Sequence, residues 1–376
     1  MRFWLLLLAT AASTAACAQE PLIQRENNYS LRNESVLAID KGLAWLREHQ
    51  NAHGTWGQPT STLQTGLALT AFLRQPIHKY DTDLKPEFLE KSLDYFREGL
   101  QRHGYLTQDP SAEAAYVIAR VLTATNLSEW NGINKNIEKN IDTNLRAAFP
   151  PPPKKNQAKA ATEAHQPQTS VSFEEAFRML ETLYLISLGT DSPSYHKDPS
   201  FSTMIDVLSK LQCLRTPKST ISKSTDYGGF ACDPDGTRQI TIAWKATDHA
   251  CALSTYTGLF GLISGGLKPT DSRVTAALDW IGRHYTLQEN AGMGSEGYYR
   301  SLNRMAKALS LAKIRDLSLT GGRKIDWARE ETLKIMDLQN IDGSWMNRGS
   351  QEQMESDPVF VTAEMVLTLE LLYYEL

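Results

Sequence analysis

Lys41-Gly42-Leu43-Ala44-Trp45-Leu46-Arg47-Glu48-His49-Gln50 runs into Asn51-Ala52-His53-Gly54-Thr55-Trp56, and Gln64-Thr65 then opens an apolar run through Leu67, Leu69, Phe72 and Leu73. The spacing predicts an amphipathic helix, a glycine turn, a tryptophan and a second helix returning beside the first. The same order recurs near the C-terminus. Leu333-Lys334-Ile335, Leu338-Gln339 and Gly343-Ser344-Trp345 precede Thr362 and a second apolar run, Val366, Leu367, Leu369, Leu371 and Leu372. A hairpin of this size cannot bury its apolar face alone and has to stack on its copies.

Between the two copies, helical periodicity dominates and strand-like alternation is nearly absent. It predicts helix pairs over 33–49 and 63–73, 84–103 and 112–124, 133–148 and 173–188, 201–214 and 249–267, 272–285 and 298–312, and 326–339 and 358–374. That is twelve helices in six hairpins. Pro150 to Pro153 and the Lys/Ala/Gln-rich tract to Ser170 bury too little to order themselves and read as a solvent loop over 149–170. Within each hairpin the second helix is the more apolar and the richer in small residues, as at Ala114, Ala115 and Ala119 or Ser254, Thr255, Gly258 and Gly261. A helix apolar on most faces is buried on most faces. The expected fold is therefore all-α, with first helices outside and second helices inside in two concentric rings, as a single domain over 30–376.

The 376 residues carry 41% hydrophobic and 22% charged side chains, the profile of an ordinary globular chain. A formal net charge of −4, with no Lys/Arg stripe carrying interleaved aromatics, excludes nucleic acid as the expected partner. Arg2, the apolar run Phe3–Ala9 and Ala16-Cys17-Ala18 form a secretory signal over 1–18. Thr14-Ala15-Ala16-Cys17 also resembles a lipoprotein box, in which Cys17 would carry a lipid anchor. Export to the periplasm or beyond leaves Cys213, Cys232 and Cys251 in an oxidising compartment. The expected disulfide joins Cys232 to Cys251, which flank one loop.

Lys41-Gly42…Trp45-Leu46…Gln50…Gly54-x-Trp56 and Gln339…Gly343-Ser344-Trp345 resemble the Gln-Trp repeat of squalene and oxidosqualene cyclases. Tyr227-Gly228-Gly229-Phe230 resembles the Gly-Gly-Phe segment those enzymes share with protein prenyltransferase β subunits. The stretches Thr257-Gly258-Leu259 to Asp279-Trp280, Gly292-Met293-Gly294 and Asp357-Pro358-Val359 are similar to exported bacterial squalene-cyclase-like repeat proteins. The resemblance implies an α/α toroid of six hairpins around a cavity that takes a hydrophobic, isoprenoid-like molecule. It does not carry over cyclase-type protonation, and whether the ligand is turned over stays open. The Asp-x-Asp-Asp acid of triterpene cyclases has only partial echoes, Asp81-Thr82-Asp83 and Asp233-Pro234-Asp235. Asp248-His249-x-Cys251, with Cys232 and Asp233, offers the residue types of a prenyltransferase zinc site without its spacing, so no metal and no cofactor is expected.

In a two-ring barrel the cavity is lined by inner helices, and polar residues near their starts are the candidates. His249, Asp248, Tyr256 and Tyr299 are those for proton transfer or cation stabilisation. Glu113, Tyr116, Gln64, Asp357 and Glu364 are those for ligand binding. Asp357 and Asp248 are equally well placed as helix caps. A second functional class, a secreted polysaccharide lyase or hydrolase, needs a base beside a carboxylate-neutralising group, for which Tyr299-Arg300 and His249 are nearest. A third is a noncatalytic repeat scaffold.

Overall fold

The computed structural model describes residues 22–57, 61–80, 86–102, 112–125, 143, 171–188, 205–206, 208–214, 225–232, 239–240, 249–350 and 354–376. The helices are α1 (Leu22–Glu48), α2 (Thr62–Leu73), α3 (Glu87–Arg102), α4 (Ala112–Thr125) and α5 (Phe173–Leu188), followed by α6 (Ala252–Ser264), α7 (Ser272–His284), α8 (Tyr298–Leu311), α9 (Trp327–Asp337) and α10 (Pro358–Glu375). The expected helix over 133–148 lies outside the described residues but for position 143, and that over 201–214 is described in part. The signal segment, Cys17 and the loop over 149–170 also lie outside them. Among the described residues, no helix is long and apolar enough to cross a membrane.

The second helices form a closed ring. α2 packs on α4, α4 on α5, α5 on α6, α6 on α8, α8 on α10, and α10 returns to α2. First helices lie outside, as α1 does against both α2 and α10. Burial explains the order. α2 and α6 are buried on nearly every residue, whereas α7 buries one stripe, Val274, Ala277, Trp280 and Ile281. The expected all-α toroid is what the chain forms. Among the described residues, strands are confined to two antiparallel pairs, β1 (Val171–Ser172) with β2 (Gln239–Ile240), and β3 (Asp316–Ser318) with β4 (Lys324–Asp326).

The repeat seen in the sequence is a hydrogen-bonding device. The Trp56 indole N–H donates to the Leu46 carbonyl at 2.7 Å, and that of Trp345 to Ile335 at 2.8 Å. Each Trp backbone N–H donates to a threonine hydroxyl on the returning helix, Thr65 or Thr362, at 3.0 Å in both. Gln50 donates to its own loop at Gly54 and to the carbonyl of Phe88 on the next outer helix, and Gln339 likewise to Gly343 and Ala38. A third copy exists that the sequence hid. Gln212 donates to Gly228 and to Arg273 on α7, and the Phe230 N–H donates to Thr255 at 3.0 Å, with phenylalanine standing where the other copies have tryptophan.

In all three copies the loop glycine has positive φ, +78° at Gly54, +94° at Gly228 and +95° at Gly343, and rests on the backbone of the next outer helix. A Cβ there would lie within 2.9 Å of Lys91 C, 2.1 Å of Ala276 O or 2.5 Å of Lys41 O. Both conformation and contact therefore select glycine.

One expectation is corrected. Cys213, Cys232 and Cys251 are buried thiols, and no disulfide joins Cys232 to Cys251. The bridge pairing Ala231 with Ala250 sets Cys232 opposite His249 and Cys251 opposite Phe230. The two cysteines are thus diagonal neighbours, at a separation of about 7–8 Å too wide for the bond. The Cys251 thiol instead contacts the Ser254 hydroxyl at 3.4 Å.

Candidate functional site

The inside of the ring is charged. Arg120 on α4 donates to the Tyr116 hydroxyl at 2.7 Å and to Glu181 on α5 at 3.1 Å. Lys307 on α8 puts its Nζ 2.8 Å from the same Glu181 oxygen, an ion pair. Arg304, one helical turn before it, lies 3.6 Å from the other Glu181 oxygen and donates to Glu174 at 3.0 Å. Glu174 also takes Arg178 at 3.2 Å and Arg300, and the Arg304 guanidinium lies over the Phe177 ring, 3.7 Å from its centre.

Five cationic side chains thus share two carboxylates, with Glu364 on α10 within electrostatic reach of Arg120, Arg304 and Lys307. The balance shows in their protonation. Burial alone would raise the Glu174 and Glu181 carboxyls, but their cationic neighbours hold both below the ordinary range. Burial, with repulsion from Arg120 and Arg304, pushes the Lys307 amine down to about 8 against the attraction of Glu181 and Glu364. Burial likewise drives the Tyr116 hydroxyl well up, so it stays protonated.

A cavity of about 130 Å³ opens at the end of the ring where the inner helices finish. Arg74, the C-cap of α2, stands at its rim, and Tyr184 and Leu185 come from the last turn of α5, with Ser310 and Leu311 from the last turn of α8. Arg120, Glu181 and Lys307 form its polar floor, and Phe260, Leu367 and Leu371 complete the apolar wall. Desolvation and the nearby Arg120 lower the pKa of Arg74.

The structure brings two of the sequence candidates to this network, Tyr116 and Glu364, and disperses the rest. His249 is exposed in the loop before α6, with Nε2 3.3 Å from the Gly292 carbonyl, and its neighbour Asp248 lies outside the described residues, as do Asp81, Asp83, Asp233 and Asp235. Glu113 is in the first turn of α4, and its side chain is outside the described residues. Tyr256 is buried on α6 near Glu331, and burial raises its hydroxyl far above the ordinary value. Tyr299 packs against Tyr298 in the first turn of α8, pushed up to about 12 by burial and by Glu355. Asp357 caps α10, accepting the Val359 and Phe360 N–H groups. Gln64 is buried in the first turn of α2, with its amide nitrogen unpartnered among the described residues.

The residues that sequence reasoning missed are Arg74, Arg120, Glu174, Glu181, Arg304 and Lys307. A signal existed for three of them. Arg120, Glu181 and Lys307 are lone charges flanked by apolar residues on second helices, in Val117-Ile118-Ala119-Arg120-Val121-Leu122, Met179-Leu180-Glu181-Thr182-Leu183 and Met305-Ala306-Lys307-Ala308-Leu309. A charge so placed faces the inside of the ring or nothing.

No protein-family model matches the chain, and no curated protein matches it. Solved structures do. The type II terpene cyclase MstE from Scytonema, without ligand, aligns over 92% of this chain and 100% of its own, at 13% identity and a TM-score of 0.52. A variant of that enzyme in complex with its product merosterolic acid A aligns over 93% and 99%, at 12% identity and a TM-score of 0.51. A possible member of the GH105 family from Salmonella enterica serovar Paratyphi A aligns over 92% and 94%, at 10% identity and a TM-score of 0.50. At these identities the likeness is one of fold, the α/α toroid.

Proposed function

We propose that this is an exported toroid protein whose central chamber binds a small anion with an apolar body, a carboxylate or phosphate carried on a ring-sized or short branched hydrocarbon. The observation that carries the reading is the convergence of Arg74, Arg120 and Lys307 on one cavity that is otherwise mostly Leu and Phe. Glu181 is the one carboxylate among the lining residues, and the Arg74 guanidinium has no hydrogen-bonded or ion-paired partner among the described residues. Cation excess in a low-dielectric wall favours an anion, and the apolar wall favours hydrocarbon behind it.

Size sets the rest. A cavity of about 150 Å³ takes one benzene ring, so about 130 Å³ suits a single isoprenoid-sized unit or ring and not an extended terpene. A polysaccharide would need a groove several sugars long, which this chamber does not offer. The fold of a cyclase captured with merosterolic acid A supports a hydrophobic ligand in a chamber of this architecture. The N-terminal signal pattern supports export.

The test is native mass spectrometry of the mature protein, which also reads whether Cys17 is lipidated or removed, followed by calorimetric titration with isovalerate, benzoate, phenyl phosphate and uncharged isoamyl alcohol. One or more of the anions binds and the alcohol does not. Equal binding of alcohol and anions, or of none, refutes the reading.

A further inference from the structure

The chamber holds a group that simple anion binding does not require. A guanidinium would serve as well as an amine in that role, and Arg120 already supplies one beside the same Glu181 oxygen. Lys307 differs from it in being able to lose a proton and attack carbon. Lys307 is one of the residues lining the cavity, and its Nζ is buried beside it, 2.8 Å from a Glu181 oxygen. Among the cavity-lining side chains it is the one primary amine.

We propose that Lys307 captures a carbonyl: its Nζ condenses with the keto or aldehyde group of the chamber ligand to form an imine, so that the ligand class is a short 2-oxo acid with an apolar side chain. The inference rests on the chamber being the ligand site. In the step, the nitrogen lone pair forms a C–N bond as the carbonyl π pair moves to oxygen. The oxygen then leaves as water with two protons from nitrogen, and the C=N bond forms.

Written from the ammonium, R–NH3+ and O=CR′R″ give R–NH+=CR′R″ and H2O. The charge on nitrogen is unchanged, so Glu181 remains its counter-ion. Nothing is oxidised or reduced, and no further reactant is needed. The ligand carboxylate is left to Arg120 and Arg74, and the side chain to Phe260, Leu367 and Leu371.

Reactivity near neutral pH follows from the surroundings. Desolvation is the largest influence on the Lys307 amine, and Arg120 on α4 and Arg304 on α8 act with it. Glu181 on α5 and Glu364 on α10 oppose it. With its pKa lowered to about 8, the amine is unprotonated far more often at pH 7.4 than an exposed lysine.

The experiment incubates the full chain with α-ketoisovalerate, reduces with sodium cyanoborohydride and maps the product by peptide mass spectrometry. The expected result is one adduct on Lys307, formed at least about tenfold faster than on any surface lysine, competed by isovalerate, with a rate that rises through a midpoint near pH 8. Lys307→Arg keeps a cation beside Glu181 and forms no adduct there. Lys307→Met, of similar length, repeats the comparison without the charge. Binding of both acids with no adduct on Lys307, or adducts spread evenly over surface lysines, overturns the imine while leaving the anion chamber standing. Failure of α-ketoisovalerate to bind while another of the anions does overturns the imine alone, and failure of every anion overturns both.

Discussion

Gln339 donates its side-chain amide to the carbonyl of Ala38 at 2.9 Å across 301 residues of sequence, and this bond, with Gly343 against Lys41, fastens the last hairpin to the first. Gln50 to Phe88 and Gln212 to Arg273 are the same bond between consecutive hairpins. In each copy the glycine of the loop meets the residue three positions beyond the glutamine's acceptor, Lys91, Ala276 or Lys41. The seam that closes the ring is therefore built like an ordinary step within it.

Substituting that seam tests closure. Gly343→Ala forces a side chain into φ +95° and against the Lys41 carbonyl, a cost of about 2 kcal/mol or more. Gln339→Ala removes two partly buried hydrogen bonds and costs about 1–2 kcal/mol. Urea unfolding of both variants reads the loss, and unchanged midpoints would show that the seam does not hold the ring.

Trp345→Phe keeps the ring-sized packing and deletes the N–H that reaches the Ile335 carbonyl, leaving that acceptor unpaired inside the protein. The expected loss is about 1–3 kcal/mol. The comparison is pointed, because the Phe230 copy already lives without the indole. Phe230→Trp should be poorly tolerated, since the Phe230 ring already sits against Gly258, where even an added Cβ would meet it at 2.4 Å.

Glu181 anchors Arg120, Arg304 and Lys307. Glu181→Gln strands these cations in a dry interior, and about 3–5 kcal/mol of stability is lost. Adding Lys307→Met removes one of them and should return part of that loss. A double-mutant cycle by thermal unfolding measures the coupling, which an exposed pair would not show.

Glu331 on α9 is fully buried, and neither carboxyl oxygen has a partner among the described residues. Burial raises its pKa well above the ordinary carboxylate value. The folded state therefore keeps the proton while the unfolded state loses it above about pH 4.3. Stability falls as pH rises from there until the folded-state pKa is passed, by about 1.4 kcal/mol per pH unit for this one group. Glu331→Gln lacks that slope, so its advantage over the natural protein should grow from pH 4 to pH 7. Parallel unfolding curves at both pH values would remove the assignment.

Arg74 stands at the rim of the chamber, its backbone N–H bonded to the Thr70 carbonyl, and its guanidinium makes no hydrogen bond or ion pair among the described residues. Arg74→Ala should leave the unfolding midpoint nearly unchanged and weaken isovalerate binding about tenfold, the scale of one charge-assisted contact. Titration calorimetry beside a thermal melt separates the two effects.

The sequence by itself determined the helices that the structure describes and the ring they form. Glycine, tryptophan and helical period are local features, and the second helices are apolar enough that only an inner position suits them. It determined two copies of the Gln–Gly–Trp device and missed the third, because Gln212 and Phe230 stand apart with a phenylalanine in the tryptophan's place. Tertiary structure alone decided the chamber. Arg120 meets Glu181 across 61 residues and Arg304 meets Glu174 across 130, since ring order and not chain distance makes their helices neighbours. Position near a helix start picked out Asp357, which turned out to cap its own helix, whereas the lone charges of the inner helices were forced together by the absence of any other polar place to go.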